Sequence, residues 1–181
     1  VKWATMNVGA SKSEDYGDYF AWGEIAPKEE YSWSTYTYCN GSSSSLTKYN
    51  YNSSLGFVDN KTQLELSDDA ARANWGGKWR MPTDAELTEL REQCTWTWTT
   101  ENGINGYKVT SRINGKSIFL PAAGDRTGPL LGSVGDGYYW SSSISTEGSP
   151  VGAYYLYFLS GSVNRYDGSR DYGQSVRPVC P

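Results

Sequence analysis

The chain has 181 residues, with twenty acidic against sixteen basic side chains, a net charge of -4 and no histidine. That length suits one domain with a sizeable core. The missing histidine removes Ser-His-Asp and Cys-His nucleophilic systems and His-ligated zinc, and the mild acidity without a Lys/Arg run argues against a nucleic-acid or anionic-membrane surface.

Eight Trp, fifteen Tyr and twenty Gly predict an aromatic, turn-rich fold of short strands and little helix. No apolar run approaches the roughly 20 residues of a membrane span. The chain starts directly on strand-like sequence with no signal peptide, so any export signal or anchor is expected outside this segment. The alternation from Val1 to Val8 suits an opening strand. Tyr19, Phe20 and Trp22 follow as core candidates. Residues 27–60 are rich in Ser, Tyr and Asn without sustained periodicity, and read as a long loop or insertion.

Two short helices come next. Ser67 is the expected N-cap of the first, with Asp68 and Asp69 in its first turn and Gly76-Gly77 at its end. For the second, Thr83 and Glu86 form a capping box three residues apart, and Leu87, Leu90 and Cys94 recur at helical spacing. The alternating Trp96-Thr97-Trp98-Thr99 then predicts a strand, turning at Asn102-Gly103. A hairpin is expected around Asn114-Gly115.

Three cysteines, Cys39, Cys94 and Cys180, are too few and too scattered for a structural zinc site. A Cys94–Cys180 disulfide would pin a helix end to the closing strand and contribute about 4 to 5 kcal/mol. The alternative is three free thiols.

Seven of the tyrosines fall between Gly135 and Cys180, interleaved with Ser, Gly, Asn and Asp. From Ala153 to Ser160, strand alternation puts Tyr154, Leu156 and Phe158 on one face and Ala153, Tyr155, Tyr157 and Leu159 on the other. Ser160-Gly161-Ser162 reads as a hairpin loop, Val163 to Tyr166 as the returning strand, 167–174 as a polar bulge and Ser175 to Val179 as the closing strand. Tyr offers rigid amphipathic area at low entropic cost, and small polar residues adapt their hydrogen bonds, as in antibody paratopes. Binding is therefore expected over catalysis. Neither Asp68-Asp69 nor Asp167 with Asp171 forms a demonstrable pair opposed across a cleft, as glycoside hydrolysis needs at about 5 to 9.5 Å. Asp167 and Asp171 can instead pair with Arg165 or Arg170. The chain is not expected to be an enzyme, and no metal or cofactor is called for.

The stretch WGGKWRMPTDAELTEL, from Trp75 to Leu90, resembles the helix-loop-helix of the formylglycine-generating-enzyme-like branch of the C-type lectin fold. With VKWATMNVGA at the start, DYGDYFAWGE near residue 20, IFLPAAG at 118–124, GYYWSSS at 137–143 and SVRPVC at the end, the chain is similar to the Fibrobacter succinogenes major paralogous domain family of bacterial surface and secreted proteins. The resemblance implies one α+β domain over 1–181, with two short helices, twisted antiparallel sheets and hairpins, and a loop insertion at about 27–60. It assigns Trp140, Gly173, Arg177 and Pro178 to the framework, and leaves Arg170 either bracing a loop through a carboxylate or touching ligand.

The C-terminal region is also similar to the variable segment of diversity-generating retroelement target proteins, which present a diversified face on this fold. An ordinary polar loop region is the alternative. The calcium-binding triplets of sugar-binding C-type lectins and the reactive cysteine pair of formylglycine-generating enzymes are both absent from the sequence.

The expected function is a surface-displayed or secreted module that binds a protein or cell-surface glycan. Its expected site is Ser143, Tyr155, Tyr157, Asn164, Tyr166, Asp167, Asp171 and Tyr172, with the Tyr155 and Tyr157 rings at least half exposed. A structural or adhesin-tip domain without a diversified site is the alternative.

Overall fold

The computed structural model describes every residue from Val1 to Pro181. Its elements, in chain order, are β1 (Lys2–Trp3), α1 (Ala70–Trp75), α2 (Asp84–Gln93), β2 (Cys94–Glu101), β3 (Ile104–Ser111), β4 (Ser117–Pro121), β5 (Asp125–Thr127), β6 (Leu130–Gly132), β7 (Gly137–Ile144), β8 (Gly152–Leu159), β9 (Ser162–Ser169) and β10 (Val179–Cys180). The architecture is α+β, with antiparallel sheets ordered β1-β10, β2-β3-β4, β5-β6 and β7-β8-β9. No helix is long and apolar enough to cross a membrane.

The two chain ends meet, with Lys2 opposite Cys180 and Trp3 opposite Val179. The regular opening strand is shorter than the alternation suggests, yet the contact continues beyond it: Ala4 N donates to Pro178 O at 2.9 Å and Val8 N to Val176 O at 3.0 Å. The closing segment threads through the molecule instead of lying on it. Gln174 exchanges backbone bonds with Phe20, Ser175 bridges Tyr139, and Val179 bridges Arg80.

Local chemistry sets both helix starts. The α2 capping box is complete: Thr83 Oγ1 accepts from Glu86 N at 3.2 Å and a Glu86 carboxylate oxygen from Thr83 N at 2.9 Å. Glu86 also takes a bidentate pair from Arg80, both contacts at 2.8 Å. Thr83→Ala should therefore cost about 1 kcal/mol, read as a lower urea midpoint at unchanged slope. In α1 the cap is Asp69, not Ser67: its Oδ1 accepts from Arg72 N at 3.0 Å, while 66–68 form a separate 3-10 turn. Asp68 is drawn off to Lys48 Nζ and the Tyr49 hydroxyl, both at 2.6 Å.

The β2-β3 turn has Asn102 and Gly103 both at positive φ, 48° and 83°, the backbone a two-residue hairpin loop requires. Leu87 and Leu90 of α2 pack with Tyr107, Val109, Leu120, Tyr139, Leu156 and Phe158 into one core. A second core joins Trp22, Tyr49, Met81, Trp140 and Val176.

Residues 27–60 are irregular as expected, and they contribute to the core. Tyr31, Tyr36, Leu46 and Tyr49 are all buried. Their hydroxyls explain why a polar, aperiodic segment can be core: Tyr31 Oη donates to Tyr19 O at 2.6 Å and Tyr36 Oη to Trp22 O at 2.6 Å, so each phenol fills apolar space while its polar tip is satisfied.

The expected Cys94–Cys180 bridge is absent, and all three cysteines are free thiols. Cys94 closes α2 and pairs with Ser111 in the β2-β3 sheet, whereas Cys180 pairs with Lys2 in the β1-β10 ribbon. The two sulfurs belong to different sheets.

A tyrosine face on the C-terminal sheet as candidate functional site

The β7-β8-β9 sheet has one face turned to the core around α2 and a second lined by aromatic rings. Register places them: Trp140, Tyr155 and Tyr166 lie opposite one another across the three strands, and Tyr138, Tyr157 and Asn164 form the next row. Side chains directly opposite or diagonal across a pair of strands are within contact reach. Ring centroids accordingly lie 5.0 Å apart for Tyr138–Tyr157, 5.7 Å for Tyr157–Tyr166, 5.9 Å for Tyr138–Tyr155 and 6.4 Å for Tyr155–Tyr166.

This face grades from framework to surface. Trp140 is fully buried, its indole N–H donating to Phe20 O at 2.8 Å, and Tyr155 meets it edge-on at 5.8 Å. Tyr155 also lies over Gly168, where an added Cβ would approach its ring to 2.9 Å. Tyr138, Tyr155 and Tyr157 are partly buried, and Tyr166 is 49% exposed. The expectation that the Tyr155 and Tyr157 rings are at least half exposed is corrected: each is flanked by other tyrosines of the same face, which cover its sides.

Electrostatics follow from this packing. Burial pushes the Tyr155 hydroxyl up to about 12, with the neighbouring Tyr138 and Asp125 adding to it. The Tyr157 hydroxyl donates to Asp136 Oδ2 at 2.8 Å; burial, then that carboxylate, hold it well above the ordinary phenol value. The Tyr138, Tyr155 and Tyr157 phenols stay neutral near pH 7, as hydrogen-bonding and π-face contacts.

The structure brings together Tyr155, Tyr157, Asn164 and Tyr166, and separates the other expected site residues from them. Asp167 is on the opposite face, since β9 continues to Ser169 and alternation turns it inward, where it accepts from Ser145 Oγ at 3.0 Å and Ser149 N at 2.6 Å. Ser143 sits at the start of α2, accepting from Asp84 N at 3.1 Å and donating to Gln63 Oε1 at 2.9 Å. Asp171 is buried and held by Ser169 Oγ at 2.5 Å, while its neighbour Tyr172 is exposed.

Neither arginine pairs with these carboxylates. Arg165 forks onto Asp84, at 2.7 and 2.8 Å, and lies over the Tyr154 ring. Arg170 is buried over Trp22 and donates to Pro150 O at 3.2 Å, so it braces the segment through backbone carbonyls instead of a carboxylate.

Tyr138, Asp136 and Asp125 belong to the face and were not expected there. Tyr138 and Trp140 share a face because they alternate within β7, and the register that sets Tyr138 opposite Tyr157 is a long-range fact. No cluster of three His, Cys, Asp or Glu side chains suited to a metal ion occurs. Comparison with protein-family models, curated proteins and solved structures found no match to this chain.

Proposed function

We propose that the chain is a C-type lectin-like recognition domain of a bacterial surface or secreted protein, binding a macromolecular ligand through the tyrosine face. The observation that carries this reading is the contiguous cluster of Tyr138, Tyr155, Tyr157 and Tyr166, exposed at Tyr166 and seated on a buried floor of Trp140. A sheet that only needed to close would place polar residues on its outer face. Clustered tyrosines on a rigid strand scaffold are what an interface uses as anchors. The antiparallel joining of the chain ends and the α2 capping box fit the family resemblance, as do the buried Trp140 and Arg177.

The retroelement reading adds a division of labour. Asn164, Tyr166 and Tyr172 carry side chains whose replacement leaves the floor intact, whereas Trp140, Gly173 and Arg177 do not: a Cβ on Gly173 would come within 2.6 Å of the Tyr31 ring. Sequencing sister copies of the gene should show substitutions concentrated at the first group and absent from the second. Uniform variation across both groups counts against diversification.

Binding itself is tested by screening the folded domain against displayed bacterial surface proteins and a glycan array, with Tyr166→Ala in parallel. A ligand retained by wild type and weakened at least tenfold by Tyr166→Ala supports the reading. Ligands that ignore Tyr166, or bind only through the opposite face near Asp84, overturn it.

A further inference from the structure

The tyrosine face is bordered by carboxylates that no cation answers. Gly124 bridges Gly137, and Gly124 N donates to Asp136 O at 2.8 Å, which sets Asp125 and Asp136 on neighbouring backbones at the start of β5 and just ahead of β7. Asp136 meets the Tyr157 hydroxyl, and Asp125 is partly buried one residue past the Gly124–Gly137 bridge, on the backbone that runs beside Tyr138. Burial, then the charge of Asp136, raise the Asp125 carboxyl above its ordinary value, and burial first, with the Asp125 charge adding to it, raises Tyr138 and Tyr155.

The nearby basic side chains are all committed elsewhere. Arg126, next along β5, lies over the Tyr19 ring at 5.0 Å; Arg165 is forked onto Asp84, and Arg170 covers Trp22. What remains is a set of neutral phenol π-faces beside two like charges. Phenol faces attract cations through the ring quadrupole, and arginine is enriched where aromatic interfaces meet charge. A neutral ligand would leave both carboxylates unanswered and partly desolvated, an unfavourable state.

Resting on the recognition reading above, we propose that the ligand is a protein that places a basic side chain, arginine or lysine, over Tyr138, Tyr157 and Tyr166 and pairs it with Asp136 and Asp125. The cation would occupy the one position on the face where π-faces and carboxylates converge. The guanidinium of arginine, planar and able to stack while forking onto a carboxylate, suits it better than the lysine ammonium.

The test is a titration of the folded domain with hexa-arginine, hexalysine and hexaglutamate peptides at about physiological salt, where screening reaches beyond roughly 8 Å. It is followed by NMR shifts of the tyrosine rings and by calorimetry. Hexa-arginine should bind more tightly than hexalysine, shift Tyr157 and Tyr166, and lose at least tenfold in affinity in Asp125→Asn/Asp136→Asn and in Tyr166→Ala. Glu89→Gln/Glu92→Gln on the exposed side of α2 serves as the control and should bind as wild type. Equal losses in the control, or shifts confined to other surfaces, mean diffuse attraction to an acidic protein and overturn the proposal. Asp136→Asn alone, checked by thermal melting, keeps the test usable if the double variant does not fold. A screened ligand that is weakened by Tyr166→Ala but indifferent to the two aspartates would leave the recognition reading standing and remove only the cationic ligand. Indifference to both would remove the two together.

Discussion

Arg177→Ala should leave the domain largely unfolded at 37 °C, with a loss of about 4 kcal/mol or more. Arg177 is fully buried three residues before the chain end of the last sheet, and its guanidinium faces no carboxylate. It donates instead to Asn7 Oδ1 at 2.9 Å, Ala4 O at 3.1 Å and Phe119 O at 2.7 Å. One fork thereby ties the opening segment, the β4 strand and the closing segment together.

Burial lowers the Arg177 pKa to about 10, which still leaves it charged near neutrality. The folded-state value lies below the ordinary arginine value. The charged form is therefore the disfavoured one on folding, and only the three acceptors make it tolerable. Truncation strands all three acceptors in the interior, each orphaned group costing about 1 to 3 kcal/mol, and opens a cavity. The total is a large share of the roughly 5 to 15 kcal/mol that holds a domain together.

The neighbourhood would loosen with it. Asn7 loses its orienting donor while still holding Tyr139 Oη at 3.3 Å and Tyr16 O at 3.0 Å. Arg177→Lys keeps the charge but not the fork geometry, and should recover only part of the loss. The check is urea denaturation of both variants by far-UV dichroism. A midpoint for Arg177→Ala within about 1 kcal/mol of wild type would mean that the fork is dispensable.

What the sequence made legible was local. The Thr83/Glu86 box needs only residues three apart, and Asn102-Gly103 needs only two positive-φ positions, so both are written in contiguous residues. The two faces of β8 were equally readable, because alternation alone separates Leu156 and Phe158 from Tyr155 and Tyr157. Errors arose where a distant partner decided. Ser67 suits a helix start locally, but 66–68 close as a separate 3-10 turn in which Lys48 and Tyr49, far upstream, hold Asp68, and the helix starts later with Asp69 as its cap.

The same holds for the site. Val163 to Tyr166 was expected to end the strand, but Gly168 and Ser169 keep pairing with Ala153 and Gly152. Asp167 therefore obeys strand alternation and points away from Tyr166. Ser143 lies within the irregularity of β7 between Trp140 and Ile144, where alternation gives no guidance. The burial of Tyr31, Tyr36 and Tyr49 within 27–60 was not legible, because these tyrosines recur without the period that marks a buried face.

The tyrosine face should divide into two kinds of residue when truncated, and the division separates stability from binding. Tyr155→Ala should cost about 2 to 3 kcal/mol, somewhat below the full penalty of a buried aromatic, because its ring is wedged between Trp140, Tyr138 and Gly168. Tyr166→Ala removes a ring at the half-exposed rim whose aromatic neighbours are Tyr155 and Tyr157, and should change stability by less than about 1 kcal/mol. Its effect on ligand affinity should be the larger one, about 2 kcal/mol or more, as for an aromatic anchor at an interface. Tyr157→Phe isolates the hydroxyl: it frees Asp136 of its 2.8 Å bond while keeping the ring, so the fold should persist. Affinity for a basic ligand should then hold or rise, since the carboxylate loses a competing donor. Thermal melts and calorimetric titrations on the three variants decide this. If Tyr166→Ala melts as low as Tyr155→Ala, the rim is structural and the face is not a binding surface. If all three bind as wild type, ligand recognition lies elsewhere on the molecule.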